Sequence, residues 1–381
     1  MKIAYVHTGL WPSNSPSFTF VTYNTNAIAQ EFEKCYLFVK DNSKKNTDHI
    51  ISEKLNLTVS DNLEINRVSY SKFLNTNYFY YRKVYKNLFE LIKQNKIDVI
   101  VTRNPTFIKY LVKLKNKFNV KVYFESHDFY ADLSLRNDIN VSKKKHIEKI
   151  ENKYIPNLTG VLCLQNSQIE LYKQKFPEVK FYLARTGLQF IKNEKYEYKY
   201  VAYIGSLDPH KGIDQLLSAL NKSQTKPQLL IIGGKTNLEI DQIKKIVQEK
   251  YDLSKVNVTG WIDKKSLRDY LLNTALGIIP LTETFFNKFI TSPLKLFDYY
   301  SYCIPVLATD LPTTRELIIE NETGFFFKNG DVEELAKKID FIFSDDVTID
   351  KMRNNIYQYA QKFLWSERAK VLRNIFEQSV N

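Results

Sequence analysis

From residue 2 onward, short apolar runs alternate with amphipathic stretches over almost the whole chain, and that alternation leaves few folds open. KIAYVHT, KCYLFVK, IDVIVTR, KVYFESHD and GVLCLQ read as buried strands. Helical patterns such as FVTYNTNAIAQEF and NYFYYRKVYKNLFELIKQN lie between several of them. After FYLARTGLQF comes the charged stretch IKNEKYEYK, which predicts a linker. The alternation then restarts with YVAYIGS, PQLLIIGG, VNVTGW, ALGIIPL and CIPVLAT, separated by helical segments such as GIDQLLSALNKS, LEIDQIKKIVQEKY and KKSLRDYLLNT. Strand and helix in turn predict α/β architecture with parallel sheets covered on both faces. At 381 residues there is room for two such domains, 1–192 and 198–362, with a cleft between them.

In open parallel sheets, ligands bind beyond the carboxyl ends of the strands. YIGSLDPHKG puts Gly205 and Ser206 at a strand end, then a loop that delivers Lys211 and closes with Gly212 before a helix. LIIGGK ends in Gly233 and Gly234, which permit close backbone approach by a ligand. TGWID ends in a glycine followed by Trp261 and Ile262. In SPLKLFDYYSYCIPVLATD, preceded by Thr291, Ser292 suits an N-cap and Pro293 the first helical position. Lys295 and Asp298 stand three apart beside amides that favour anions, a place to hold a phosphate. Together these segments predict a nucleotide diphosphate pocket: lysines and amides for phosphates, a carboxylate for ribose hydroxyls, backbone groups for the base.

The formal charge of +13 is unevenly spread. Residues 1–190 carry 29 Lys and Arg against 17 Asp and Glu, which is +12; the remainder carries 26 against 25, which is +1. Lysine-rich bias accounts for part of this, since KKKHIEKIENK reads as a solvated helix face, but such bias would charge both halves. The excess predicts a first domain that meets an anionic membrane surface or another polyanion. No basic aromatic motif or known module points to nucleic acid. Cys35, Cys163 and Cys303 are far apart without a C-x-x-C pair, which excludes a disulfide framework or zinc site and predicts a reducing, cytoplasmic setting. MKIAYVHTGLWP reads as a first strand and not a signal peptide. No segment reaches the roughly 18 apolar residues of a membrane-spanning helix, so membrane contact is expected to be peripheral.

The second half resembles the family 4 (group 1) glycosyltransferases of the two-domain GT-B fold. GSLDPHKGIDQLLSAL is similar to that family's strand, G-x-L, K-G and helix; SPLKLFDYYSYCIPVLATDLPTTRELI resembles its donor-binding helix, proline and strand; TGFFF resembles its next element. In the first half, TRNP and VYFESHDF are similar to the family's fourth and fifth strand ends. WSERAKVLRNIF resembles the helix that crosses back to the first domain, which assigns 364–381 to it. The resemblance implies retaining transfer from a nucleotide-diphosphate sugar, with UDP-sugars favoured, to a glycan or lipid-linked acceptor in surface polysaccharide or glycoconjugate assembly. It implies that Lys211 neutralises the donor diphosphate, that Asp298 meets the ribose hydroxyls, that His127 lies near the anomeric centre and that Trp261 and Ile262 meet the base through backbone groups. With no D-x-D pair in the chain, no metal or other cofactor is expected.

The family pattern is broken in three places. Ser206 stands where an arginine is usual, and Ile290 where the first acid of E-x7-E would contact the transferred sugar. Lys295 is placed to replace the arginine, so His127, Lys211 and Lys295 are the candidate catalytic residues. The usual Gly-Gly loop after the first strand is missing; Gly9, Ser15 and Ser17 are candidates for part of its work on the acceptor side. Arg103 reads either as an acceptor or phosphate contact or as a structural salt bridge, and Glu125 and Asp128 as supports that fix the His127 ring. The departures leave open a catalytically degenerate partner subunit of the same fold. A nucleotide-sugar epimerase would need more acid/base groups than a chain with five histidines offers.

Overall fold

A computed structural model describes residues 1–378 except 14, 42–45, 71–76, 195, 196 and 235. Seven strands, β1 Lys2–Leu10, β2 Lys34–Lys40, β3 Leu63–Val68, β4 Val99–Thr102, β5 Lys121–Ser126, β6 Gly160–Cys163 and β7 Phe181–Leu183, form one sheet in the order β3-β2-β1-β4-β5-β6-β7. Six more, β8 Tyr200–Ile204, β9 Gln228–Ile232, β10 Val256–Val258, β11 Thr274–Ile279, β12 Val306–Thr309 and β13 Gly324–Phe327, form a second in the order β10-β9-β8-β11-β12-β13. Every pairing in both is parallel. The apolar runs become strands because helices cover both faces: β4, β6, β11, β12 and β13 are buried along their full length. Strand order reverses between β1 and β4 and again between β8 and β11, and beyond the carboxyl ends at such reversals open α/β sheets form their crevices.

The chain divides into one unit of 1–187, 289–292 and 365–381 and another of 188–288 and 293–364. Helix Trp365–Glu377 belongs to the first unit. Its Trp365 packs edge-to-face on Phe20 at 5.2 Å, and a Cβ at Gly187 would stand 2.6 Å from the Trp365 ring. The predicted linker, part of which lies outside the described residues, is fastened to the second unit. Ile191 joins its core, the Lys192 amide donates to Ser301 O at 2.8 Å and Arg353 Nη2 donates to Glu194 O at 2.6 Å. Its backbone and one apolar side chain act as local anchors, which composition does not reveal. All three cysteines are buried and free. Among the described residues no helix is long and apolar enough to cross a membrane.

Candidate active site

In the second unit the ends of β8 and β9 approach each other so closely that only glycines fit. A Cβ at Gly233 would lie 2.0 Å from the Gly205 carbonyl oxygen, and Gly205 itself has φ +145°. Its amide donates to Ile232 O at 2.9 Å, closing the two strand ends together. Beyond β8 the Ser206 carbonyl accepts from Tyr203 Oη at 2.6 Å. Gly212, at φ +72°, lets the next helix start against β11: a Cβ there would stand 1.6 Å from Pro280 O, which accepts instead from Gln215 Nε2 at 2.6 Å. The end of β11, the Lys211 loop and the β8 turn are thereby held in one fixed arrangement.

Lys295 enters this arrangement from helix Leu294–Ser301. The helix is pinned beneath β8 by Tyr299, whose Oη donates to Ala202 O at 2.8 Å and accepts from the Ile204 amide at 3.1 Å. Lys295 is only 8% exposed, and its Nζ is buried with no hydrogen-bond partner among the described residues. It lies 4.1 Å from the centroid of the Tyr203 ring, and a Cβ on Gly205 would come within 3.3 Å of it. Loss of hydration lowers its pKa from 10.5 to about 7, and the neighbouring Lys211 charge acts in the same sense. Lys211 is likewise depressed by burial, against the opposing charge of Asp208. A ring face contributes about 2 kcal/mol to a desolvated cation, well short of what an ammonium loses on leaving water. The site therefore crowds two lysine amines, and an anion beside them would favour the charged form of both.

In the first unit, β1, β4 and β5 end in a second cluster. Glu125 is fully buried, and its Oε2 accepts from Arg368 Nη2 at 2.8 Å. Although burial alone would raise its pKa, Arg368 and His127 bring it down to about 2. Its Oε1 lies 2.5 Å from His127 Nε2. An ionised carboxylate only accepts, so the proton sits on Nε2 and Nδ1 is left as an acceptor. Burial and then the Arg103 charge lower the His127 pKa to about 4, so the ring is neutral at ordinary pH. Phe20 meets the ring edge-on at 4.7 Å and also carries the Arg103 guanidinium at 5.2 Å. Arg103 Nη1 and both ring nitrogens of His7 are buried without partners among the described residues.

Several expectations change in detail. Ser292 is not the N-cap: Pro293 holds that position with no side-chain bond, and Ser292 Oγ donates to Thr186 Oγ1 at 2.9 Å. The hydroxyl is bonded to Thr186 and caps no amide of this helix. Thr291 is buried, and its carbonyl accepts from Gln165 Nε2 at 2.8 Å; both it and Ser292 group with the first unit. Asp298, one turn after Lys295, is half-buried. The Trp261 amide is spent on Gly234 O at 2.8 Å, so the expected backbone contact to a base cannot use it, while the ring is 50% exposed and Ile262 packs on the core. Gly234 has φ +96°. Asp128 does not orient His127; Arg136 Nη1 donates to it at 2.6 Å. Among the described residues Arg103 makes no ion pair and stacks on Phe20 instead, so the salt-bridge alternative falls away. Ser15 caps helix Pro16–Glu31 and shares its hydroxyl with Ser17 at 2.8 Å; Gly9 is pressed against His7, whose Nε2 a Cβ would meet at 2.7 Å. Ile290 is 1% exposed, and nearby Glu283 pairs with Lys288 at 2.7 Å. Tyr203, Tyr299, His7 and Arg368 were not singled out from sequence: the tyrosines sit in ordinary apolar runs, and Arg368 is 243 residues from the acid it holds.

Residues 185–363 match the family described as glycosyl transferases group 1. The chain is 23% identical over 314 residues to the chitobiosyldiphosphodolichol beta-mannosyltransferase of Candida albicans, an alignment covering 74% of this chain and 68% of that protein. Among solved structures it is similar to sucrose-phosphate synthase from Thermosynechococcus elongatus, with TM-score 0.77 and 18% identity over 99% of both chains. It is also similar to Anabaena HepE in complex with UDP, with TM-score 0.74 and 14% identity over 99% of this chain and 100% of that one. At these identities the structural likeness establishes the fold, which is GT-B.

Proposed function

Because residues 185–363 belong to the group 1 glycosyl transferases, we propose that this protein moves a sugar from a UDP-sugar to a glycan or lipid-linked acceptor with retention of anomeric configuration. The observation that carries this reading is Lys295, a buried lysine whose Nζ has no partner among the described residues, set with Lys211 at the glycine-lined ends of β8 and β9. Cleaving a sugar–diphosphate bond builds negative charge on the leaving group, and fixed cations in a dry site stabilise that charge without reorganising. Lys211 and Lys295 supply them, taking the place of a metal. Asp298 is assigned to the ribose hydroxyls. In the first unit, read as the acceptor side, His127 offers an acceptor nitrogen fixed by Glu125, and Gly9, Ser15, Ser17 and Arg103 surround the acceptor. The leaving phosphate helps to take the acceptor proton, so no separate nucleophile is assigned. The proposed setting is the cytoplasmic face of an anionic membrane, in assembly of surface polysaccharide or glycoconjugates.

A non-catalytic partner subunit would have no use for Lys295, since an unpaired buried charge destabilises a scaffold by several kcal/mol. Thermal shift against UDP-, GDP-, ADP- and dTDP-sugars tests the donor: a ligand at 100 times its Kd stabilises by about 2.7 kcal/mol. UDP-sugars are expected to give the largest shift, with slow donor hydrolysis that survives EDTA. No shift with any nucleotide sugar would refute the reading, and activity lost to chelator and restored by Mn²⁺ would refute its metal-free form.

A further inference from the structure

Away from the strand ends, exposed aromatic and basic side chains concentrate on two helices of the first unit. Helix Tyr78–Lys93 buries Tyr80, Tyr81, Val84, Leu88 and Ile92, which leaves Arg82, Lys83 and Lys86 facing outward. At its start Tyr78 and Phe79 are 49% and 48% exposed. Helix Ile108–Lys117 buries Ile108, Leu111, Val112 and Leu114 and exposes Lys113 and Lys117. Rings join the two helices: Tyr85 lies 5.8 Å from Tyr110, and Phe89, near the end of the first helix, lies 5.0 Å from Phe118, just after the second. The cations lie over these rings, Lys117 at 4.6 Å from the Phe89 centroid, Lys113 at 5.9 Å from Tyr110 and Arg82 at 5.7 Å from Tyr78. The first helix carries four basic residues against Glu90 and the second four against none, so +7 of the +12 in residues 1–190 falls on these 26 positions.

We propose that this face is a docking surface for an anionic lipid bilayer. Deepening the membrane setting proposed above, it rests on that reading. Amphipathic rings with basic stems suit the headgroup layer, where the ring bodies leave water and the ammonium tips meet lipid phosphates. A soluble surface gains nothing from eight like charges offset by a single acid, because it repels itself. The face is also tied to the acceptor side. Tyr80 Oη donates to His7 O at 2.7 Å, and Tyr81 Oη lies 2.6 Å from Thr106 Oγ1, so the exposed end of the helix is anchored beside the ends of β1 and β4. A lipid-borne acceptor would thus be met where the unit touches the bilayer.

Sedimentation of the full chain with phosphatidylcholine vesicles, with and without about 30% phosphatidylglycerol, tests this, since each basic residue near an acidic surface changes partitioning by roughly fivefold. Lys113→Gln with Lys117→Gln is expected to lower partitioning roughly 25-fold on acidic vesicles. Tyr78→Ser with Phe79→Ser should remove the part of binding that salt leaves behind. Lys244→Gln with Lys245→Gln, an equal charge change on exposed positions of helix Asn237–Lys250, should leave binding unchanged. Equal binding to neutral and acidic vesicles overturns the proposal, as does an equal loss in the Lys244 and Lys245 pair. Retention on DNA or heparin without vesicle binding overturns it in favour of a soluble polyanion. The UDP-sugar thermal shift of the same variants separates the two readings: a shift retained without vesicle binding sinks the docking face and leaves the transferase standing.

Discussion

Lys295 should make donor binding depend on pH in one direction only. With its pKa lowered from 10.5 to about 7, the folded protein prefers the neutral amine by about 5 kcal/mol relative to water. A diphosphate beside Nζ reverses that preference, so binding above pH 7 must draw a proton from solvent. Each further pH unit then costs about 1.4 kcal/mol, a tenfold loss of affinity, until Lys211 titrates as well. A UDP-sugar is the proper ligand because its phosphates do not titrate near neutrality. Calorimetry at pH 8 to 9 in two buffers of different ionisation enthalpy should report uptake of close to one proton, and affinity should level off below pH 7. Lys295→Met should bind weakly and without the slope. The same change should stabilise the free protein. The sign follows from the depressed pKa: between pH 7 and 10.5 the unfolded chain holds the proton that the folded one has shed, so wild-type stability rises with pH across that window and the full burial penalty is felt below it. Lys295→Met should therefore gain most near pH 6. A wild-type affinity flat from pH 7 to 9, or an unchanged slope in Lys295→Met, would refute the reasoning.

Other outcomes can be checked on the same protein. Lys211→Ala should lower kcat/KM by about 2 to 4 kcal/mol, mostly through turnover, and Ser206→Arg should restore part of the activity lost in Lys295→Ala; steady-state kinetics would show both. Glu125→Gln leaves Arg368 buried without its counter-charge and should cost about 3 to 5 kcal/mol in urea unfolding. Because the Glu125 pKa is lowered to about 2, its contribution is present above the ordinary carboxylate range and lost as pH falls toward 2, so the variant's acid-unfolding curve should be flatter there. Gly233→Ala drives a methyl group onto the Gly205 carbonyl at 2.0 Å, and should weaken UDP binding together with stability by about 1 to 3 kcal/mol, read by calorimetry and urea titration.

The parts of the fold legible in the sequence were those whose burial is uniform. Central strands such as β4 and β12 are apolar runs because both faces are covered, and the glycines that mark the ligand side stand at the ends of β8 and β9. Edge strands were harder: β3 reads LEINRV, with only its first and last residues buried, and its polar middle hides the strand. The glycine at 233 was visible as a close approach, though not as an approach to Gly205. Lys295 was legible as a cation at a helix start, while its burial depends on Tyr203, which lies 92 positions away. The His127 site was half visible. Glu125 stands two residues off on the same strand end, but the arginine that keeps it ionised comes from the last helix, and no local pattern announces a partner so distant. At Trp261 the loop's own turn consumes an amide that the sequence alone leaves open to a ligand.

The placement of that last helix has a consequence for how the protein is made. Arg368 meets Glu125 across 243 residues of chain. At the usual rate of synthesis, about 5 to 20 residues per second, Glu125 waits roughly 10 to 50 s for its counter-charge to be translated, and then until Arg368 clears the ribosome. During that time the first unit lacks the helix that contributes Trp365, Leu372 and Phe376 to its core. The second unit, 188–288 with 293–364, is translated to completion within that interval. A nascent chain of this kind exposes an unfinished apolar seam and a buried acid at once, so its yield in cells should respond to chaperone supply and to truncation at the C-terminus far more than the stability of the finished protein would suggest.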